Sequence, residues 1–254
     1  MPDLSGKKGL IVGIANERSI AWACAQAFHA SGAELAATWH AERSRPHVEP
    51  LLQRLGIALQ QPLDVADEAQ LQALFEAIEQ RWGRLDFLLH SIAFAPKADL
   101  QGRVTDSSRD GFLKAMDISC HSFVRLARLA EPLMADGGSL MTMSYLGANE
   151  VIPNYGLMGP VKAALESSVR YLAAELGSAD IRVNAISPGA IATRASSGLT
   201  DLDALLDDNQ RRAPLRRPVS IDDVGPLCAF LASDGARAIT GTTLYVDGGF
   251  HILN

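Results

Sequence analysis

Two tyrosines and a lysine, Tyr145, Tyr155 and Lys162, fall within one stretch, SYLGANEVIPNYGLMGPVK at 144–162. A phenol can give a hydrogen bond or a proton, and an ammonium can hold an anionic or hydroxylated ligand. The run that follows is apolar and alanine-rich and reads as one long helix ending near Leu176. If that helix begins close to Asn154, Tyr155 and Lys162 return to nearly the same face, about 20° out of register. Met158 lies between them on that face. A phenol, a thioether and an ammonium along one side suit a ligand that is long and partly apolar. From these residues alone, a partly buried tyrosine and a solvated lysine is an equally open reading.

Such groups need a scaffold, and the chain alternates strand-like and helix-like segments without a linker, a low-complexity tract or a charge block. Strands are expected at 8–14, 33–39, within 57–65, and at 85–93, 139–144, 181–187 and 243–246. Helices are expected at 20–31, 67–82, 109–134, 154–176 and 221–232. In 67–82 the residues Leu71, Leu74, Phe75, Ile78 and Trp82 recur at helical spacing, with Asp67 and Glu68 favourably placed at the start. Several strands are apolar on both faces, which calls for a parallel sheet covered on both sides. The expectation is a single-domain, doubly wound α/β fold of Rossmann type over 1–254, with a seven-stranded parallel sheet.

Composition narrows the partners. The 254 residues are 48% hydrophobic and 20% charged, enough for one large core. A net charge of −6 argues against nucleic acid or an anionic membrane as partner. Three widely spaced cysteines, Cys24, Cys120 and Cys228, suggest neither a disulfide framework nor a zinc site, and the six histidines show no metal-type spacing. With no apolar run near 18 residues and no leader-like start, a cytoplasmic protein without a resident metal is expected.

Doubly wound sheets bind ligands outside the carboxyl ends of their strands. At the first end, Gly13 closes the strand and the turn delivers Ser19 and Ile20 to a helix start, whose amides suit a pyrophosphate. One glycine is weaker than the usual three, and an ordinary strand-to-helix turn explains it as well. At the third end, Asp64 and Val65 could meet an adenine, or Asp64 could cap the next turn. Ser91, Ile92 and Ala93 form a small exit at the fourth, before Phe94. At the sixth, SPGAIAT runs from Ser187 through Pro188 and Ile191 to Thr193, placing an amide and a hydroxyl where a carboxamide could bind.

Taken together, these stretches resemble the short-chain dehydrogenase/reductase superfamily, and within it the enoyl-acyl-carrier-protein reductases of bacterial fatty acid synthesis. The resemblance runs from GLIVGIANERSIAWA through HSIAFAP, SYLGANEVIPNYGLMGPVK and NAISPGAIATRASSG to IDDVGPLCAFLASD and VDGGF. Most of the superfamily has Tyr-x3-Lys; the enoyl reductases have Tyr-x6-Lys, as Tyr155 and Lys162 do here. The resemblance implies an enoyl thioester on acyl carrier protein or coenzyme A as substrate, and a homotetramer with two-fold interfaces. It also implies a substrate-covering segment at about 190–214, with Phe94, Ala95 and Leu100 as the opposite wall. Within that segment Ala195, Leu199 and Leu202 could line the acyl chain, or simply pack.

The wider spacing has a physical meaning. At x6 the backbone positions stand about 10.5 Å apart along a helix axis, too far for the lysine mainly to depress the phenol pKa. Lys162 is then expected to grip the cofactor ribose while Tyr155 stays a protonated donor to the thioester oxygen and Tyr145 shapes the acyl site. The second strand end, TWHAERS, carries His40 but no acid to hold a 2′-hydroxyl, and Arg43 and Ser44 are near enough for a phosphate. The reading leans to NADH and leaves NADPH open. A ketoacyl-type carbonyl reductase is the alternative, but it would want a lysine at 159 and a serine at 142, where Gly159 and Thr142 stand. A noncatalytic nucleotide sensor would be expected to lose the tyrosine or the lysine.

Overall fold

A computed structural model describes residues 2–193 and 196–253. In chain order it comprises β1 Lys8–Val12, α1 Ile20–Ala30, β2 Glu34–Trp39, α2 Arg45–Arg54, β3 Leu59–Pro62, α3 Glu68–Trp82, β4 Phe87–His90 and α4 Lys97–Leu100. Then follow α5 Arg109–Met116, α6 Ser122–Ala130, β5 Gly138–Met143, α7 Met158–Leu176, β6 Ile181–Pro188, α8 Leu202–Arg212, α9 Ile221–Ala232 and β7 Thr243–Val246. The sheet order is β3-β2-β1-β4-β5-β6-β7 with every pair parallel. Strand order reverses between β1 and β4, and that is where such a sheet opens a crevice.

Apolar runs explain the two-sided burial. In β1 and β4, Leu10 and Leu88 belong to one core, while Ile11, Phe87 and Leu89 belong to the other. The first core is closed by α3, α6 and α7, through Leu74, Ile78, Phe123, Leu126, Leu165 and Val169. The second is closed by α1, α2 and α9, through Trp22, Phe28, Leu52, Val224 and Leu231. Helices α1 and α9 lie close because Gly225 has no side chain: a Cβ there would meet the Ala23 carbonyl oxygen at 2.8 Å. Across this contact the Cys24 and Cys228 sulfurs stand 3.5 Å apart, and all three cysteines are free.

Three elements differ from the sequence reading, each for a local reason. Helix α7 begins at Met158, not near Asn154, because Asn154 (φ 63°) and Gly156 (φ 52°) make a left-handed turn before it. Pro160 then sits in the first turn, where a missing amide costs little. Segment 109–134 is not one uniform helix: a π turn at Asp117–His121 separates α5 from α6. Helix α2 escaped notice because Pro46 and Pro50 lie within it, but buried Val48, Leu51 and Leu52 anchor one face. Helix α3 is as expected, with Asp67 accepting from the amides of Ala69 and Gln70 as its cap. Among the described residues, no helix is long and apolar enough to cross a membrane.

Candidate active site

Strand β5 ends at Met143, and the chain leaves it through Ser144 and Tyr145 into a single turn at Leu146–Ala148. Tyr155 comes back against this turn from the left-handed bend before α7, so it is a loop residue and does not share a helix face with Lys162. The two tyrosine rings pack with centroids 4.8 Å apart at 56°. Gly147 makes room for that pair: a Cβ there would meet the Tyr155 ring at 2.3 Å. Tyr155 is 9% exposed, and burial drives its phenol far above the ordinary value of 10, with Tyr145 and the Glu166 charge adding to the effect. Burial likewise pushes Tyr145 to about 12, against the downward pull of the Asn209 side chain, and its sealed hydroxyl lacks a hydrogen-bond partner of normal length. Both phenols are therefore proton holders across any physiological pH.

Lys162, in the second turn of α7, is 4% exposed and donates to the Met143 carbonyl oxygen at 2.7 Å. Loss of solvent lowers its pKa to about 8, against the upward pull of Cys120 and Glu166. His90, at the end of β4, is fully buried between Thr142 Oγ1 and Ser122 Oγ, each 2.8 Å from a ring nitrogen. Burial and the Lys162 charge hold His90 neutral, with its pKa down to about 3. The π turn supplies Ser119, whose hydroxyl accepts from the Phe94 amide at 2.8 Å and donates to the Phe94 carbonyl at 2.9 Å. One side chain thus pins the backbone where β4 leads into the cavity wall, a use of π geometry common at functional sites.

These elements enclose a mainly apolar cavity of about 180 Å³. Fourteen of the residues expected from sequence line it: Ile20, Ser91, Ile92, Ala93, Phe94, Ala95, Leu100, Tyr145, Tyr155, Met158, Lys162, Pro188, Ile191 and Thr193. Leu199 and Leu202 line it as well. Gly13 lies just outside the lining with φ 109°, where a Cβ would meet the Ser91 carbonyl oxygen at 2.4 Å. Ser19 stands at the head of α1 and turns its hydroxyl to the Asn16 carbonyl at 2.6 Å, leaving the first-turn amides without a side-chain cap.

Other expected residues are placed differently. His40 is exposed at the end of β2, away from the lining. Val65 has its side chain in the core, and Asp64 is engaged locally: its carboxylate accepts from the Ala66 amide, its own amide donates to Gln70 Oε1, and its carbonyl accepts from the Asp67 amide. The Thr193 hydroxyl is engaged with Ser196 at 3.2 Å. Ala195 lies outside the described residues.

Sequence reasoning missed Met143, Ser144, Gly189, Ala190, Ser196 and Leu205, all of which line the cavity. Ser144 adjoins Tyr145 and could have been found from its strand-end position; Ser196 and Leu205 carry no sequence signal of their own. A second, larger space of about 440 Å³ shares Ala190 and Ile191 and is bounded by Arg18, Asn209, Arg217 and Asp247. The smaller cavity is the one that holds the chemistry-bearing side chains. Among the described residues no group of three His, Cys, Asp or Glu is arranged to hold a metal ion.

Comparison with known proteins identifies the family and the fold. A family model described as enoyl-(acyl carrier protein) reductase matches residues 13–251. The chain is 49% identical to enoyl-[acyl-carrier-protein] reductase [NADH] 1 of Rhizobium meliloti, over 98% of this chain and 92% of that one. It is 48% identical to enoyl-[acyl-carrier-protein] reductase [NADH] FabI of Nostoc, over 100% and 99%. Among solved structures, the Anaplasma phagocytophilum enoyl-(acyl-carrier-protein) reductase in complex with NAD superposes with a TM-score of 0.96 at 47% identity, covering 100% of this chain and 97% of that one. The Bacillus cereus enoyl-acyl carrier protein reductase with NADP+ and indole naphthyridinone gives 0.97 at 44%, covering 100% of both. The chain belongs to the enoyl-(acyl carrier protein) reductase family of the short-chain dehydrogenase/reductase superfamily.

Proposed function

We propose that this protein reduces the carbon–carbon double bond of a trans-2-enoyl thioester, carried on acyl carrier protein or coenzyme A, in fatty acid elongation. The observation that carries the reading is a protonated, buried phenol, Tyr155, and a buried ammonium, Lys162, on the wall of one apolar cavity at the strand ends.

The residues present fit a nicotinamide dinucleotide. The uncapped first turn of α1 offers amides and a positive dipole end to a pyrophosphate. Gly13 lets the turn before it lie against the exit of β4. Lys162 spends one of its three N–H groups on Met143 and has two for ribose hydroxyls. When bound, the reduced nicotinamide supplies the hydride that the β-carbon accepts. As that bond forms, the double-bond electron pair moves toward the thioester oxygen, and the Tyr155 hydroxyl donates a hydrogen bond to the developing oxyanion. The reduction is completed by a proton from solvent at the α-carbon. A phenol whose pKa lies so far above 10 keeps its proton for this task. Tyr145 fixes the Tyr155 ring, and Met158, Leu199, Leu202 and Leu205 exclude water from the acyl chain.

The same reading assigns Ser91, Ile92, Ala93, Pro188, Ile191 and Thr193 to the cofactor and Phe94, Ala95, Leu100 and Ala195 to the acyl group. The chain then works as one reductase domain covered by the segment at about 190–214, in the cytoplasm, as a homotetramer. NADH is favoured, because the relatives named above carry that cofactor in their names and the end of β2 presents no cation directly after Thr38 and Trp39. The Bacillus cereus neighbour holds NADP+, so NADPH belongs in the same test. A carbonyl reductase is disfavoured: the hydroxyl at the position a serine would need, Thr142, is fully buried on His90 and cannot face a substrate.

The test follows loss of reduced nicotinamide with crotonyl and longer enoyl thioesters on coenzyme A and on acyl carrier protein, with NADH and NADPH separately. Oxidation dependent on the conjugated thioester is expected. Absence of turnover with every enoyl thioester would overturn the reading.

A further inference from the structure

Among the described residues, Glu166 is a buried charge that does not line the cavity. Glu166 lies one turn beyond Lys162 on α7 and is 4% exposed. Its carboxylate accepts from Ser144 Oγ at 2.5 Å and from Asn149 Nδ2 at 3.0 Å. Asn149 also reaches the Tyr245 hydroxyl at 3.4 Å. Ser144 and Asn149 are the two ends of the loop that carries Tyr145 and Gly147. The residue before that loop, Met143, is held by Lys162. Helix α7 therefore grips the end of β5 at two consecutive residues, using side chains one turn apart, and closes the loop again through Asn149.

A carboxylate taken out of water is costly, and it persists where its hydrogen bonds are well made. Here the donors come from both sides of Tyr145, and the ring of Tyr145 rests against Tyr155. We propose that Glu166 is a positioning residue for the reduction, clamping both ends of the Tyr145 loop so that the paired tyrosine rings hold the Tyr155 hydroxyl in place, and setting the charge environment of Lys162. The proposal rests on the enoyl reductase reading and extends it to a residue that does not line the cavity. The groups facing Lys162 are His90 from β4, Cys120 from the π turn and Glu166 from its own helix. His90 is neutral, and Glu166 raises the lysine's affinity for its proton.

Two variants separate the two roles. Glu166→Gln keeps the shape and removes the charge; Ser144→Ala keeps the charge and removes one arm of the clamp. In cofactor-free protein, lysine Cε NMR titration is expected to show the Lys162 transition moved to lower pH by about one unit in Glu166→Gln and unmoved in Ser144→Ala. The sign follows from charge: losing a neighbouring anion makes the ammonium easier to deprotonate. In turnover with a crotonyl thioester, both variants are expected to lose kcat by roughly tenfold or more, with KM for the thioester changed far less, because a small displacement of a donor is felt in the transition state. Asn149→Ala should reproduce the Ser144→Ala result, and it carries the test should Glu166→Gln fail to fold. Wild-type kcat in both Ser144→Ala and Asn149→Ala would overturn the clamp, and an unmoved Lys162 titration in folded Glu166→Gln would overturn the charge role. Inactive wild-type protein would instead overturn the enoyl reductase reading itself.

Discussion

Replacing Lys162 by methionine should make the cofactor-free protein more stable while weakening its hold on the cofactor. The folded protein keeps this ammonium 4% exposed and lowers its pKa from 10.5 to about 8. An unfolded chain holds the proton up to the ordinary value. Below about pH 8 both states are protonated and the folded state carries the full cost of burying the charge; between about 8 and 10.5 that cost fades, and above 10.5 it is gone. The difference, at about 1.4 kcal/mol per pH unit, amounts to about 3 kcal/mol at neutral pH. Methionine loses the hydrogen bond to Met143, worth about 1 kcal/mol, which leaves a net gain of about 2 kcal/mol. For a chain of this size that is a rise of roughly 4–8 °C in Tm. The measurement is thermal melting of cofactor-free wild-type and Lys162→Met proteins from about pH 7 to about pH 10, beside NADH titration by fluorescence. The stability gap should shrink as pH rises. A variant less stable than wild type at neutral pH, or a gap indifferent to pH, would refute the buried-charge argument; unchanged NADH affinity would refute the anchor.

Tyr155→Phe keeps the ring against Tyr145 and removes only the donor, so kcat should drop about a hundredfold, equivalent to about 3 kcal/mol, with NADH affinity preserved. Steady-state kinetics decide it, and near-wild-type turnover would remove Tyr155 from the chemistry. Because its phenol titrates far above 10, the wild-type rate should show no alkaline limb from Tyr155, whereas cofactor affinity should weaken as pH rises through about 8 and Lys162 loses its charge. Gly147→Ala places a methyl 2.3 Å from the Tyr155 ring and should cost activity together with about 1–3 kcal/mol of stability, read by kinetics and denaturation. Asp67→Ala removes the cap of α3 and should cost about 1 kcal/mol by denaturation while leaving turnover unchanged, since Asp67 touches none of the cavity.

Much of the scaffold was legible along the chain because its signals are local. The seven strands, the limits of α9 and β7, and the cap of α3 all follow from apolar runs and end chemistry within a few residues. What stayed hidden was either masked or distant. Prolines concealed α2, whose Val48, Leu51 and Leu52 matter only against the far side of the sheet. The π turn that aims Ser119 at Phe94 leaves no periodic trace, since one extra residue in a helix does not disturb the apolar pattern enough to be seen.

For the site, residue types and spacing determined that a phenol and an ammonium sit seven positions apart beside small-residue strand exits, and that pattern identified the family. The tertiary structure decided how they meet. Tyr155 reaches the cavity from a left-handed turn instead of a helix face, and it is held there by Tyr145 across a glycine. Burial, which depends on everything packed around a group and on nothing in its own neighbourhood of sequence, made one phenol a permanent donor and the lysine an easily discharged cation. A carboxylate twenty-two positions from Ser144 became its hydrogen-bond partner because the sheet brings the end of β5 under α7. Local pattern names the groups; only the packed sheet sets their distances and their proton affinities.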